Sequence, residues 1–281
     1  MHDLIIRDAK IVDGTGADAY SGDIAIDGST LTQVGGSAGP GKREITANGA
    51  MATPGWVDVH THYDGQVTWD PLVSPSSWHG VTSIVMGNCG VGFAPVRPTD
   101  HNMLIELMEG VEDIPGAALH EGVPWNWESF PEFMDALEAM PRAIDIATQV
   151  PHNPVRAYVM GEDAASDRPS TPEERAEMAA IVASGLRAGA LGFTTSRTKF
   201  HRTSTGEHVP SHFADLEELR VICRSLKDHG DGVIGREEVI AAMGLWLTLI
   251  YRRARAGARC SLGRSRRAPS RARRARPTRC R

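Results

Sequence analysis

Apolar and polar positions alternate in short runs over the first fifty residues, each closed by a turn signal. The runs are Leu4-Ile5-Ile6, Lys10-Ile11-Val12 before Asp13-Gly14, Asp23-Ile24-Ala25-Ile26 before Asp27-Gly28, and Leu31 to Val34. This pattern predicts strands with glycine turns, and hence a small β domain over residues 1–54. From Gly55 the rhythm becomes strand, loop, helix. Trp56 to His60, Thr82 to Met86, Ala190 to Thr194 and Gly232 to Ile234 read as strands, and Ile144 to Gln149 competes with Arg156 to Met160 for another. Strands alternating with helices predict parallel β/α units, so the fold class is α/β.

Two helices carry explicit signals. Thr171-Pro172-Glu173-Glu174 is a capping box with proline at the first helical position; Met178, Ile181, Val182, Gly185 and Leu186 follow on one face, and Gly189 is the stop. The second runs from Ala214 to His229, with Leu216, Leu219, Ile222, Cys223 and Leu226 on its apolar face. Cys223 reads there as core packing. Residues 95–141 form a long insertion holding Trp125, Trp127 and the acids Glu106, Glu109, Glu112 and Asp113. Such an insertion shapes an active site or is a helical decoration, and the sequence leaves both readings open.

Composition narrows the class. A chain of 281 residues with 41% hydrophobic and 23% charged residues is neither disordered, collagenous nor a small disulfide scaffold. The net charge of −5 conceals an uneven distribution: residues 1–250 carry −18, while residues 251–281 carry 13 Arg and no Lys, Asp or Glu. An acidic body argues against nucleic acid as a specific partner, whereas the basic segment 241–281 predicts a disordered tail that binds polyanions non-specifically. Arginine among Ala, Gly, Pro and Ser, without lysine, is also what GC-rich codons give in a wrong frame; a frame change after about Gly235 is the expectation. The four cysteines include no Cys-x-x-Cys pair, the N-terminus lacks the order of a secretory signal, and the most apolar stretch, Ala241 to Tyr251, is 11 residues where a membrane span needs ~20. These features predict a cytoplasmic protein without a membrane partner.

The densest chemistry lies in Pro54-Gly55-Trp56-Val57-Asp58-Val59-His60-Thr61-His62-Tyr63-Asp64. A strand alternates its faces, so His60 and His62 point the same way where the apolar run ends, which is half of a metal site. The second strand runs into Gly87-Asn88-Cys89-Gly90, bringing a thiol to the same end of the sheet. Alone, Cys89 reads as an inert buried thiol; beside a histidine pair it reads as a ligand, because a thiolate is a strong zinc donor.

These residues, with the Trp78-His79-Gly80-Val81-Thr82-Ser83 approach, Ile11-Val12-Asp13-Gly14-Thr15-Gly16, Ala50-Met51-Ala52-Thr53-Pro54-Gly55 and Gly189-Ala190-Leu191-Gly192-Phe193-Thr194-Thr195-Ser196-Arg197, resemble the metal-dependent amidohydrolases. Within them the cysteine after the second strand is similar to the N-acyl-D-amino-acid deacylase (D-aminoacylase) branch. The resemblance covers about residues 3–235. It implies a β-sandwich half over 1–54, the first four or five units of an eight-stranded (β/α)8 TIM-like barrel over 55–240, and zinc as cofactor. His60, His62 and Cys89 match the family's first three metal positions; its two further histidines and its catalytic aspartate have no counterpart, since no histidine follows Gly235 and no acid follows Glu238.

The implied reaction is hydrolysis of the C–N amide bond of a small N-acyl amino acid, and the chain by itself is expected to bind zinc weakly and not to turn over. Arg197 and His201, in the loop after the fourth strand, are candidates for holding the substrate carboxylate, against the reading of solvated loop charges. His152 reads as pocket lining or surface loop, and Asp64 and Glu162 as possible stand-in carboxylates. Two alternatives remain: a hydantoinase- or dihydroorotase-like cyclic amidohydrolase, against which Cys89 argues, and a non-enzymatic polyanion binder acting through the tail.

Overall fold

The computed structural model describes residues 1–229 and 232–237. They fall into two compact units, one ending at Gly55 and the other beginning at Trp56. The basic segment 241–281, and the readings placed on it, lie outside the described residues.

The first unit is a five-stranded sheet of β1 (His2–Ile11), β2 (Tyr20–Asp27), β3 (Thr30–Val34), β4 (Gly41–Thr46) and β5 (Met51–Ala52). Its order is β3-β2-β1-β4, with β5 also pairing β1. The two runs predicted at Leu4–Ile6 and Lys10–Val12 are one strand. Asp8, at φ 53°, places a bulge between Ile6 and Ala9 that shifts the register against β2 without ending the strand. Strands β4 and β5 escaped the sequence pattern, because β4 is largely exposed and presents no apolar alternation.

In the second unit β6 (Trp56–Asp58) and β7 (Val81–Met86) are followed by the insertion, which folds as α1 (His101–Glu112), α2 (Gly116–Gly122) and α3 (Phe130–Glu138). Then come β8 (Asp145–Thr148), β9 (Val150–Pro151), α4 (His152–Met160), α5 (Pro172–Arg187), β10 (Gly192–Ser196), α6 (Leu216–His229) and β11 (Val233–Glu237). All pairings are parallel, in two sheets ordered β6-β7-β8 and β11-β10-β9. Only Gln149 separates β8 from β9, so the parallel strands succeed one another in chain order.

The competition for the third strand resolves toward residues 145–148, and Arg156–Met160 is helical. Residues 152–157 are buried without alternation, and a short run of that kind fits a buried helix as well as a strand. The capping box of α5 is present in full, Thr171 and Glu174 each accepting from the other's backbone N–H, and α3 has a second one in Ser129 and Glu132. Helix α6 begins two residues later than predicted, where Asp215 Oδ1 accepts from the Glu218 N–H at 2.8 Å. Cys223 is half-buried rather than in the core, while Leu219, Ile222 and Leu226 are buried.

The insertion contributes to the main core: Leu104, Leu107, Phe130 and Phe133 are buried with Ile84, Met86 and Phe193. The buried Trp127 donates its indole N–H to the Phe93 carbonyl at 2.8 Å. Among the described residues no helix is long and apolar enough to cross a membrane.

Candidate metal centre

Strand β6 ends at Asp58, two residues earlier than predicted, so both histidines sit just beyond it. Alternation persists there nonetheless. Thr61 turns inward, with its N–H and hydroxyl both on the Val85 carbonyl at 3.0 and 2.9 Å, and His60 and His62 are left facing the opposite way.

The chain leaves β7 through a turn that most side chains resist. Gly87 (φ 76°), Cys89 (φ 54°) and Gly90 (φ 70°) are all left-handed. A Cβ at Gly87 would run into the Gln149 backbone, which makes glycine obligatory at that position. Cys89 adopts the same region at a cost, and such strain is characteristic of functional positions.

That turn delivers the buried Cys89 Sγ to 3.4 Å from His60 Nε2 and 3.4 Å from His62 Nε2. The three donor atoms all lie within 4.8 Å of one another. A tetrahedral zinc with bonds of about 2.3 Å to sulfur and 2.0–2.1 Å to nitrogen separates those donors by roughly 3.5 Å. The donor chemistry and the two sulfur–nitrogen separations therefore fit a zinc ion.

One carboxyl group adjoins the trio. Glu112, the last residue of α1, places Oε2 3.3 Å from His62 Nε2, with both side chains largely buried. Asp64 is 1% exposed. Burial drives its carboxyl up to about 8, with the Glu112 charge adding to the rise and backbone N–H groups of Asp64 and Gly87 opposing it.

Arg197 and His201 lie in the loop after β10, where His201 Nδ1 and Ser196 Oγ are 2.9 Å apart. Farther along, His208 and His212 stack with ring centroids 4.0 Å apart. Burial, then the charges of His208, Arg197 and Arg202, pull the His212 imidazole below its ordinary range.

His152 fits neither sequence reading. It is fully buried, with Nδ1 2.7 Å from Thr195 Oγ1 and Nε2 2.9 Å from Glu218 Oε1. Glu218, also fully buried, is paired with Arg156 and accepts from Ser170 Oγ at 2.6 Å. Sequence reasoning named Glu112 only among the insertion's acids, and overlooked Glu218 and Asn88. Nothing local marks Glu218; Asn88 stood inside the recognised turn motif.

The model of the amidohydrolase family matches residues 43–262. N-acyl-D-aspartate deacylase of Alcaligenes xylosoxydans xylosoxydans is 29% identical over 232 residues, covering 82% of this chain and 42% of that protein. A crystal structure of D-aminoacylase superposes with a TM-score of 0.67 at 30% identity, covering 83% of this chain and 44% of the other. N-acyl-D-glutamate deacylase of Bordetella bronchiseptica, solved with zinc and a phosphonate mimic of the tetrahedral intermediate, gives 0.63 at 25% identity, with the same coverage of 83% and 44%. The chain belongs to the amidohydrolase family. It spans less than half the length of these relatives.

Proposed function

We propose that the chain provides the first part of a zinc site for hydrolysing the C–N amide bond of N-acyl-D-amino acids. The observation that carries this reading is the approach of Cys89 Sγ to both imidazoles at 3.4 Å. The relatives' names support the substrate class, since they act on N-acyl-D-aspartate and N-acyl-D-glutamate. The likeness to D-aminoacylase supports reading the parallel strands as the start of a (β/α)8 barrel, and residues 1–54 as the separate β domain before it.

His60, His62 and Cys89 would hold the metal. When bound, zinc supplies Lewis acidity toward the scissile carbonyl and activation of water. Glu112 Oε2 faces the same Nε2 of His62 that faces Cys89 Sγ, so its carboxylate would stand beside the ion and add negative charge there. Arg197 and His201 would take the substrate carboxylate by charge-assisted hydrogen bonds.

Three donors support binding, but turnover also needs a group placed to move protons, worth about 10²–10⁴-fold. No histidine follows His229 and no acid follows Glu238 in the 281 residues. The chain alone is accordingly read as binding metal and substrate without turnover.

The test incubates the zinc-loaded chain with N-acetyl-D- and N-acetyl-L-amino acids, measuring binding by calorimetry and release of free amino acid. The expected result is binding selective for the D series without release above background. Absence of binding in both series would contradict the substrate class. Zinc-dependent release that is lost in His62→Ala would contradict the incomplete-site reading.

A further inference from the structure

Asn88 stands between the two halves of the metal centre and is 5% exposed. Its carboxamide Nδ2 donates to the Thr61 carbonyl at 3.2 Å and to the Val85 carbonyl at 2.9 Å, while its Oδ1 accepts from Gln149 Nε2 at 3.0 Å. Thr61 is the residue between His60 and His62, and Asn88 is covalently joined to Cys89. One side chain therefore ties the histidine segment to the cysteine turn.

The other flank of that turn is fixed separately. Asn153 Nδ2 donates to the Gly90 carbonyl at 2.7 Å, and Asn153 Oδ1 accepts from the Ser211 N–H at 2.7 Å. Thr194 Oγ1 accepts from the Gly90 N–H at 3.2 Å and donates to the Gly87 carbonyl. These bonds hold the turn against β10 and α4. They leave the spacing between cysteine and histidines to the strand pairing, to the bonds of Thr61 on the Val85 carbonyl and to Asn88.

We infer that Asn88 is a positioning residue that holds the His60–His62 segment and Cys89 at metal-binding separation before a metal arrives. This deepens the metal-centre reading and rests on it. Preorganisation gives the advantage. Two segments held apart by one hydrogen-bonded side chain need not be ordered at the expense of binding energy, and outer-shell partners of metal ligands are typically worth ~10–100-fold in affinity. A carboxamide suits the task because it donates twice and accepts once in one plane, satisfying buried carbonyls on both segments.

The experiment titrates the full chain with cobalt(II) and follows the sulfur-to-cobalt charge-transfer absorption that marks thiolate coordination. Asn88→Ala removes the tether, and Asn88→Leu removes it while keeping the volume filled. Met178→Ala, in the core of α5, is the control for a general loss of stability. The inference predicts that both Asn88 variants need ~10–100-fold more cobalt to reach half-maximal absorption, while the Met178 variant, though its melting temperature falls, titrates as the unsubstituted chain does. It is overturned if a folded Asn88 variant titrates at the unsubstituted concentration, or if the Met178 variant shifts as far. Absence of the band in the unsubstituted chain would overturn the metal centre itself, and this inference with it.

Discussion

At the scale of single residues, Cys89 combines a left-handed backbone with a thiol buried against two imidazoles, and the proposed ligand role accounts for both. Relieving the first without the second separates them. Cys89→Gly is expected to be more stable than Cys89→Ala, by roughly 1–2 kcal/mol, because glycine alone occupies that region without strain. Equal stability of the two variants in denaturant titrations would contradict the strain. Glu112 makes a further claim at this scale. Glu112→Gln should weaken zinc binding, measured by competition with a chromophoric chelator, since it removes a negative charge beside the Nε2 of His62 that faces the site. An unchanged affinity would contradict a role for Glu112 at the metal. His60, His62 and Cys89 were legible in the sequence because strand alternation and a glycine turn fix where they go. Glu112 was not: its approach to His62 depends on how α1 packs, which no local pattern encodes.

At the scale of elements, the buried charges connect pieces far apart in sequence. Glu218 on α6 takes a hydrogen bond from His152 at the start of α4, pairs with Arg156 on the same helix, and accepts from Ser170 before α5. Burial alone would raise its carboxyl, but the hydrogen bond and charge of His152, then those of Arg156, overturn that and leave it near 2. A depressed carboxylate contributes stability that is fully present above its unfolded value of 4.5 and is lost as pH falls toward 2. Glu218→Gln should therefore cost about 3–5 kcal/mol at pH 7, leaving Arg156 buried without its counter-charge, and the gap to the unsubstituted protein should narrow between pH 4.5 and 2. Urea titrations across that range check it; a gap independent of pH would contradict the assignment. Capping explains why α5 was legible: Thr171 and Glu174 mark its start in any context. Strand β4 and helix α4 were not legible, one because its residues are exposed, the other because its residues are buried on all sides, and periodicity needs a difference between faces.

At the scale of the whole molecule, β6 pairs only with β7 among the described residues, and around it Trp56, Val57 and Val59 are 61%, 60% and 67% exposed. An apolar strand edge of this kind invites association, so the chain is expected to bind an apolar dye and to sediment faster with rising concentration. Concentration-independent monomers without dye binding would contradict this. The succession of parallel units was legible from the alternation of strands and helices, whereas the separation of residues 1–55 from the rest showed only as a change of rhythm at Gly55. The central claim concerns the metal centre, and zinc X-ray absorption tests it most directly. The protein loaded with one equivalent of zinc should show one sulfur neighbour at about 2.3 Å with imidazole nitrogens at about 2.0–2.1 Å, and the sulfur shell should vanish in Cys89→Ser. A spectrum without sulfur in the unsubstituted chain, or one that keeps its sulfur in Cys89→Ser, would contradict it.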